Sequence, residues 1–282
     1  MKHNFTVFLL AGGFGTSFQM MYPSIPKALI PLGHNPCICI LLETLLEIGE
    51  INCINVLVFE RHLEKFKKEI SRWFFNHNII NVISLPDTQG TAKSIDYMLK
   101  KHAIENENIL ILHSNMPLIS KITLQDMMNH FIEQKENLMC LVSKLKNTEN
   151  ERAVVENNEQ IIDISASASS EYSYLNTIAI KLSLLKELIP KIDCTPDTNE
   201  YNINDIVKLA KKSAIYNLNP YTANKECVMI KKTDDKNFAE EIYMEHRNAN
   251  FIHQCYGLWK KCDIFENRLQ FLESIVERNK LV

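Results

Sequence analysis

Between residues 10 and 16 the chain reads Leu10-Ala11-Gly12-Gly13-Phe14-Gly15-Thr16, and Pro26-Lys27-Ala28-Leu29 follows shortly after. Three of the seven glycines in the chain fall within this short stretch. Glycine lets main-chain N–H groups approach an anion with no Cβ in the way. A lysine a dozen residues on adds a mobile positive charge for the same anion. Together they suit the phosphates of a nucleotide, although a Gly-rich bend after a first strand is also compatible with a plain tight turn. No Gly-Lys-Ser/Thr follows, which excludes a Walker loop. The spacing of Gly12 and Gly15 does not fit a dinucleotide fingerprint either.

The elements that must position this loop can be read around it. Val7-Phe8-Leu9-Leu10 is a continuous apolar run, so the glycines begin at the carboxyl end of a buried strand. Strand-like runs recur at Phe5–Leu10, Ile54–Phe59, Ile79–Leu85, Ile109–His113 and Leu138–Val142, with helical patterns at about 36–49, 61–75, 91–103 and 122–134. Such alternation predicts an α/β fold of Rossmann-like type: a mixed, mostly parallel sheet with helices on both faces. Ligands of these folds bind beyond the carboxyl ends of the strands, where the Gly12 loop and the His113-Ser114-Asn115-Met116-Pro117 segment both belong.

After about residue 150 the rhythm changes. Short β-like pieces at Ala153–Glu156, Ile161–Ser165 and Tyr174–Ile180 suggest a hairpin-rich insertion, followed by a helix at about 202–212 and a strand near Val228-Met229-Ile230. Residues 235 to 280 read as helical, with no site chemistry, and suit packing or oligomerisation. We therefore expect a domain over 1–234 and a helical extension over 235–282.

Bulk properties narrow the function. A net charge of −3 and no basic stripe argue against nucleic-acid binding. The chain has eight cysteines, scattered and without zinc-ligand spacing, which fits free thiols in a reducing cytoplasm. No stretch reaches membrane-spanning length.

Four segments then line up: the Gly12 loop with Tyr22-Pro23-Ser24-Ile25-Pro26-Lys27; Gln89-Gly90-Thr91-Ala92; Leu112-His113-Ser114-Asn115-Met116-Pro117; and Leu175-Asn176-Thr177 with Glu200-Tyr201-Asn202-Ile203-Asn204-Asp205. In this order, over about residues 5 to 235, the chain resembles the sugar-nucleotide pyrophosphorylases, and most of all the uridyltransferase domain of the bacterial bifunctional enzyme that makes UDP-N-acetylglucosamine. The resemblance implies nucleotidyl transfer from a nucleoside triphosphate, UTP above all, to a sugar 1-phosphate, with Mg²⁺ as cofactor. It also implies that Leu10, Ala11, Gly12, Gly13, Gly15 and Thr16 hold the nucleotide, that Lys27 and the residue at 17 meet phosphate, and that Gly90 and Thr91 flank the base. Asn176, Glu200 and Asn204 would then lie near the sugar. By residue type alone, Asn176 also suits a turn and Glu200 a helix cap.

The likeness breaks at charged positions. Where the family carries an arginine this chain has Ser17, and where it carries a metal-binding aspartate this chain has Asn115. A second metal-binding asparagine falls at Thr233, with Asp234 and Asp235 adjacent as substitutes. A uracil-reading glutamine falls at Leu85, a glycine beside the sugar at Glu151, a sugar-gripping glutamate at Ser165–Ala166, and a threonine at Asn204. Losing one charge-stabilising group costs on the order of 3 kcal/mol of transition-state stabilisation. Two readings therefore stand: a nucleotidyltransferase with a rearranged site, and a catalytically silent homologue that binds a nucleotide or a partner. Leu85 leaves the base open, so cytidylyl or guanylyl transfer on the same fold is a third.

Overall fold

The computed structural model describes residues 4–13, 18, 20–22, 24–75, 77–87, 89–145, 152–156, 160–165, 170–196, 198–210 and 213–261. Its centre is strand β1 (Phe5–Leu10), flanked in parallel by β4 (Ile51–Phe59) and β6 (Asn108–His113), with β5 (Ile80–Leu85) outside β4. A small hairpin of β2 (Pro31–Leu32) and β3 (Asn35–Pro36) separates β1 from helix α1 (Cys37–Leu46). The helices α2 (Leu63–Trp73), α3 (Thr91–Lys101) and α4 (Lys121–Glu133) connect the strands.

Beyond β6 the sheet becomes mixed. Strand β10 (Tyr172–Lys181) runs antiparallel between β6 and β7 (Leu138–Ser143), and β11 (Ala214–Asn217) runs parallel to β7. The expected hairpin is present as β8 (Arg152–Glu156) and β9 (Gln160–Ser165), which continue this side of the sheet. Helices α5 (Leu182–Leu188), α6 (Ile206–Ala210) and α7 (Pro220–Glu226) complete it.

Alternate residues of β1 serve two cores, which is why its sequence is apolar throughout. Phe5, Val7 and Leu9 pack on one face with α1, α2 and α4, while Phe8 and Leu10 pack on the other with α3, α5 and α6. All six residues of β1 are buried. Among the described residues six cysteines are free thiols, four of them buried. Among the described residues no helix is long and apolar enough to cross a membrane.

One expected strand does not form. Val228-Met229-Ile230 is extended but pairs with no strand; it is tied in by a single main-chain bond from Ile230 N to Asn115 O (2.9 Å). Met229 and Ile230 are buried without joining the sheet, and Val228 is half-buried, so hydrophobicity alone misled. Helix α8 (Thr233–Lys261) follows. Two compact units are distinguished, Met1–Glu240 and Glu241–Val282. The first turns of α8 belong to the former, because Lys236 is buried and paired with Glu240, whose Oε1 accepts the Gly33 N–H at 2.6 Å.

Candidate active site

Parallel register builds the floor of the site. Leu10 stands level with Leu57 on β4 and His113 on β6. The Ala11 N–H donates to Leu57 O (3.0 Å) and the Ser114 N–H donates to Leu10 O (3.1 Å), so the three strands stay joined to the point where the chain turns away. There a cavity of about 270 Å³ opens, walled by Gly12 and Gly13, by Lys27, by Gly90 and Thr91, by Asn115 and by Glu200, over the Leu10–Leu57–His113 floor. Segments distant in sequence thus meet at the carboxyl rim of the sheet.

Each wall has a local cause. At Gly12 a Cβ would sit 3.2 Å from the Phe59 ring, so the glycine lets the main chain lie on that aromatic platform. Lys27 begins a single 3₁₀ turn, Lys27–Leu29, whose Ala28 and Leu29 are buried and pin it in place. Burial first, then the charge of Lys231, lowers the Lys27 pKa, while Asp235 opposes the shift. His113 is held well below the usual imidazole range, at about 4, by burial and by Lys27, and is therefore neutral at pH 7. Its Nε2 is buried without a hydrogen-bond partner among the described residues.

The opposite wall is fastened by the main chain. Gly90 adopts φ +97°, and a Cβ there would meet Tyr201 O at 2.5 Å. Tyr201 N–H donates to Gln89 O (2.9 Å), Ala92 N–H donates to Tyr201 O (2.9 Å), and Ile203 N–H donates to Thr91 Oγ1 (2.9 Å). The Lys93 ammonium lies 4.1 Å from the centre of the Tyr201 ring. This staple carries Glu200 to the cavity beside the first turn of α3. Asn202, not Glu200, caps the turn that follows, its side chain accepting from Asn204 N–H (3.0 Å).

Of the residues singled out by sequence, Leu10, Gly12, Gly13, Lys27, Gly90, Thr91, Asn115 and Glu200 line one cavity. Ala11, Asn176, Asn204, Asp234 and Asp235 do not line it. Asn176 occupies the left-handed region at φ 47°, and its Nδ2 lies 2.7 Å from Met229 Sδ. Asn204 is buried, and Leu85 is buried beside Phe59 in the β4–β5 register. Gly15, Thr16, Ser17 and Glu151 lie outside the described residues, as does Ala166. Sequence reasoning placed His113 and Ser114 at the rim without giving them a role, and it missed Leu57, Phe59 and Ser94 as cavity residues. A signal existed for Leu57 and Phe59, since both stand at the end of a rim strand; Ser94 needed the phase of α3 relative to the sheet.

The resemblance implies Mg²⁺ at Asn115 with Asp234 or Asp235. A small hard dication favours several charged oxygens. Asn115 offers only a neutral amide oxygen, buried and without a hydrogen-bond partner among the described residues. Asp235 Oδ2 accepts the N–H groups of Lys231 (2.8 Å) and Lys232 (2.9 Å), and Asp234 is exposed. Lys27 and Lys231 stand close enough to repel each other. Among the described residues no three His, Cys, Asp or Glu side chains gather to hold a metal. By charge and by commitment, these donors do not fit Mg²⁺.

Comparison with known proteins agrees with the fold. The bifunctional protein GlmU of Buchnera aphidicola subsp. Baizongia pistaciae is 28% identical over 220 residues, covering 75% of this chain and 46% of that protein. The chain thus spans about half the length of that relative. A probable UDP-N-acetylglucosamine pyrophosphorylase of Acanthamoeba polyphaga mimivirus is 25% identical over 231 residues, covering 78% of this chain and 87% of that one. Among solved structures, a UDP-glucose pyrophosphorylase in complex with UDP-glucose superposes with a TM-score of 0.66 at 16% identity, over 86% of this chain and 99% of that one. The inositol-1-phosphate CTP transferase of T. maritima also gives 0.66, at 13% identity, over 85% and 96% of the two chains. The MobA-like NTP transferase domain matches residues 7–172, more than half of the sequence, and the chain belongs to that nucleotidyltransferase family.

Proposed function

We propose that this protein transfers a uridylyl group from UTP to a sugar 1-phosphate, N-acetylglucosamine 1-phosphate being the first candidate, and releases pyrophosphate. The observation that carries the reading is the convergence of Gly12, Gly13, Lys27, Gly90, Thr91 and Glu200 on one cavity. The mimivirus relative, matched over most of its length, favours UTP and the amino sugar.

In the proposed reaction a phosphate oxygen of the sugar 1-phosphate attacks the α-phosphorus in line. The bond from that phosphorus to the bridging oxygen breaks, and pyrophosphate leaves with the electron pair. The work left to the protein is alignment and charge neutralisation. The N–H groups of Gly12 and Gly13 would hold the triphosphate, with Lys27 over the phosphates. The Gly90–Thr91 main chain would flank the base, and Glu200 would accept from a sugar hydroxyl. Asn176 and Asn204, behind the wall, would support the sugar side. We assign the activity to the cytoplasm, where the free thiols stay reduced.

The test is pyrophosphate release from UTP with a panel of sugar 1-phosphates. Turnover with UTP and an amino-sugar 1-phosphate is expected. Release with no nucleoside triphosphate in the panel, or only with CTP or GTP, overturns the assignment.

A further inference from the structure

The sheet carries a second cavity at its opposite rim. About 430 Å³ of space opens where β1, β4 and β5 begin and α3 ends. Three elements thus line one cavity at each end: β1 with Thr6 and Leu10, β4 with Asn55 and Phe59, and α3 with Met98 and Thr91. The two cavities share no residue.

At the base of the second one lies an amide where the fold calls for an apolar side chain. Asn55 shares its face of β4 with Leu57 and Phe59, which pack with α3. Yet Asn55 is only 4% exposed. Register sets Asn81 of β5 beside it, and Asn81 Nδ2 donates to Asn55 Oδ1 (3.3 Å) and to Cys53 Sγ (3.5 Å). In the same cavity Asn106 Nδ2 donates to Thr6 Oγ1 (2.9 Å) and to Asn52 Oδ1. This leaves the amide hydrogens of Asn55 and Asn52, and the amide oxygens of Asn81 and Asn106, without a partner among the described residues. A buried carboxamide fully used by its neighbours is a structural group; one with unspent hydrogens beneath a cavity is a binding group.

The lining also sets the charge and shape of what fits. Among the described residues no lysine or arginine lines this cavity, and burial keeps the Cys53 thiol protonated. No phenylalanine, tyrosine or tryptophan lines it either, so a nucleobase finds no ring to stack on. Ile83, Met98 and Ile104 supply apolar carbon, and Glu105 adds a carboxylate acceptor. Apolar carbon combined with alternating donors and acceptors suits a ring with C–H faces and hydroxyl edges.

We infer that this amino-terminal rim is a separate small-molecule site, which takes a neutral polyhydroxylated ring of monosaccharide size. Asn55 and Asn52 donate to its oxygens, while Asn81, Asn106 and Glu105 accept from its hydroxyls. The site stands independently of the uridylyl reading, because it shares no residue with the cavity at the carboxyl rim.

Nuclear magnetic resonance of the whole chain labelled with ¹⁵N-asparagine tests this, since each side-chain amide gives its own signals, assigned by single substitution. Glucose, galactose and myo-inositol are the neutral probes, and glucose 6-phosphate is the charged one. At least one neutral probe is expected to move the Asn52, Asn55, Asn81 and Asn106 signals saturably at millimolar concentration, while Asn115 stays in place. The phosphate should bind about threefold more weakly or worse. Asn55→Leu should weaken the best probe by about tenfold or more, and Asn52→Ala, at the exposed lip, by about threefold. No saturable movement with any neutral probe, or equal binding of the phosphate, overturns the site. Movement of the Asn115 signal alone places the probe in the other cavity and likewise overturns it. Unchanged affinity in Asn55→Leu does the same; should that variant fail to fold, unchanged affinity in Asn52→Ala does so in its place.

Discussion

The two walls of the cavity are built on different principles. On the Gly90 side, three main-chain or main-chain-to-hydroxyl bonds at 2.9 Å fasten residues 89–92 to residues 201–203, and the side-chain requirements are the absence of one at Gly90 and the hydroxyl of Thr91. On the Lys27 side, position depends on buried neighbours, and what the wall presents is side-chain polarity: the Lys27 charge and the neutral Asn115 amide. A wall made of backbone geometry tolerates little at one residue and much elsewhere. A wall made of charges can be rewired, one residue at a time, without unfolding the sheet beneath it. Asn115, where the resemblance leads one to expect an aspartate, lies on the second kind of wall.

The comparison is broken most directly at Gly90. Gly90→Ala combines a left-handed φ with a contact 2.5 Å from the Tyr201 carbonyl, so the staple must open. A loss of about 3 kcal/mol is expected in urea denaturation. A loss below about 1 kcal/mol would mean that the backbone wall is as adaptable as the charged one.

On the charged side, Lys27→Met should leave stability nearly unchanged while weakening UTP binding by about thirtyfold, the value of one charge-assisted hydrogen bond. Titration calorimetry beside a denaturation curve separates the two quantities. A stability loss comparable to that of Gly90→Ala would erase the distinction between the walls.

Acid sharpens the comparison from the floor. His113 titrates near 4 in the folded protein and near 6.5 unfolded. Between those values the unfolded chain binds the proton and the folded one does not, so stability is full above pH 6.5 and falls on acidification. The loss should be about 2 kcal/mol at pH 5 relative to pH 7. Denaturation of wild type and His113→Asn at the two pH values isolates this share, which should vanish in the variant.

The smallest effect is expected at Thr91→Val. It removes the acceptor of the Ile203 N–H while keeping shape, at a cost of about 1 kcal/mol by denaturation. A larger drop in UTP affinity than in stability would show that Thr91 serves the ligand more than the staple.

Much of this architecture was legible beforehand. The apolar runs of β1, β4, β6 and β7 and the helical periods between them mark a parallel core because strands buried on both faces cannot alternate. The glycines at a strand's carboxyl end and Lys27 declared an anion site for the same kind of local reason. The segment 228–230 was misread because burial and strand pairing leave the same hydrophobic trace. Asn176 and Asn204 carry polar groups that sequence cannot orient, and neither lines the cavity.

Residue types by themselves determined an α/β sheet with a Gly-rich rim, since periodicity and glycine placement act locally, and the resemblance of four motifs added the nucleotidyltransferase family. Only tertiary structure decided which distant groups meet. Strand register brought His113 level with Leu10, the Gly90–Tyr201 contact carried Glu200 to the cavity, and one main-chain bond tied Ile230 to Asn115. Charges interact through space and not along the chain, so the electrostatics of the site was settled by packing.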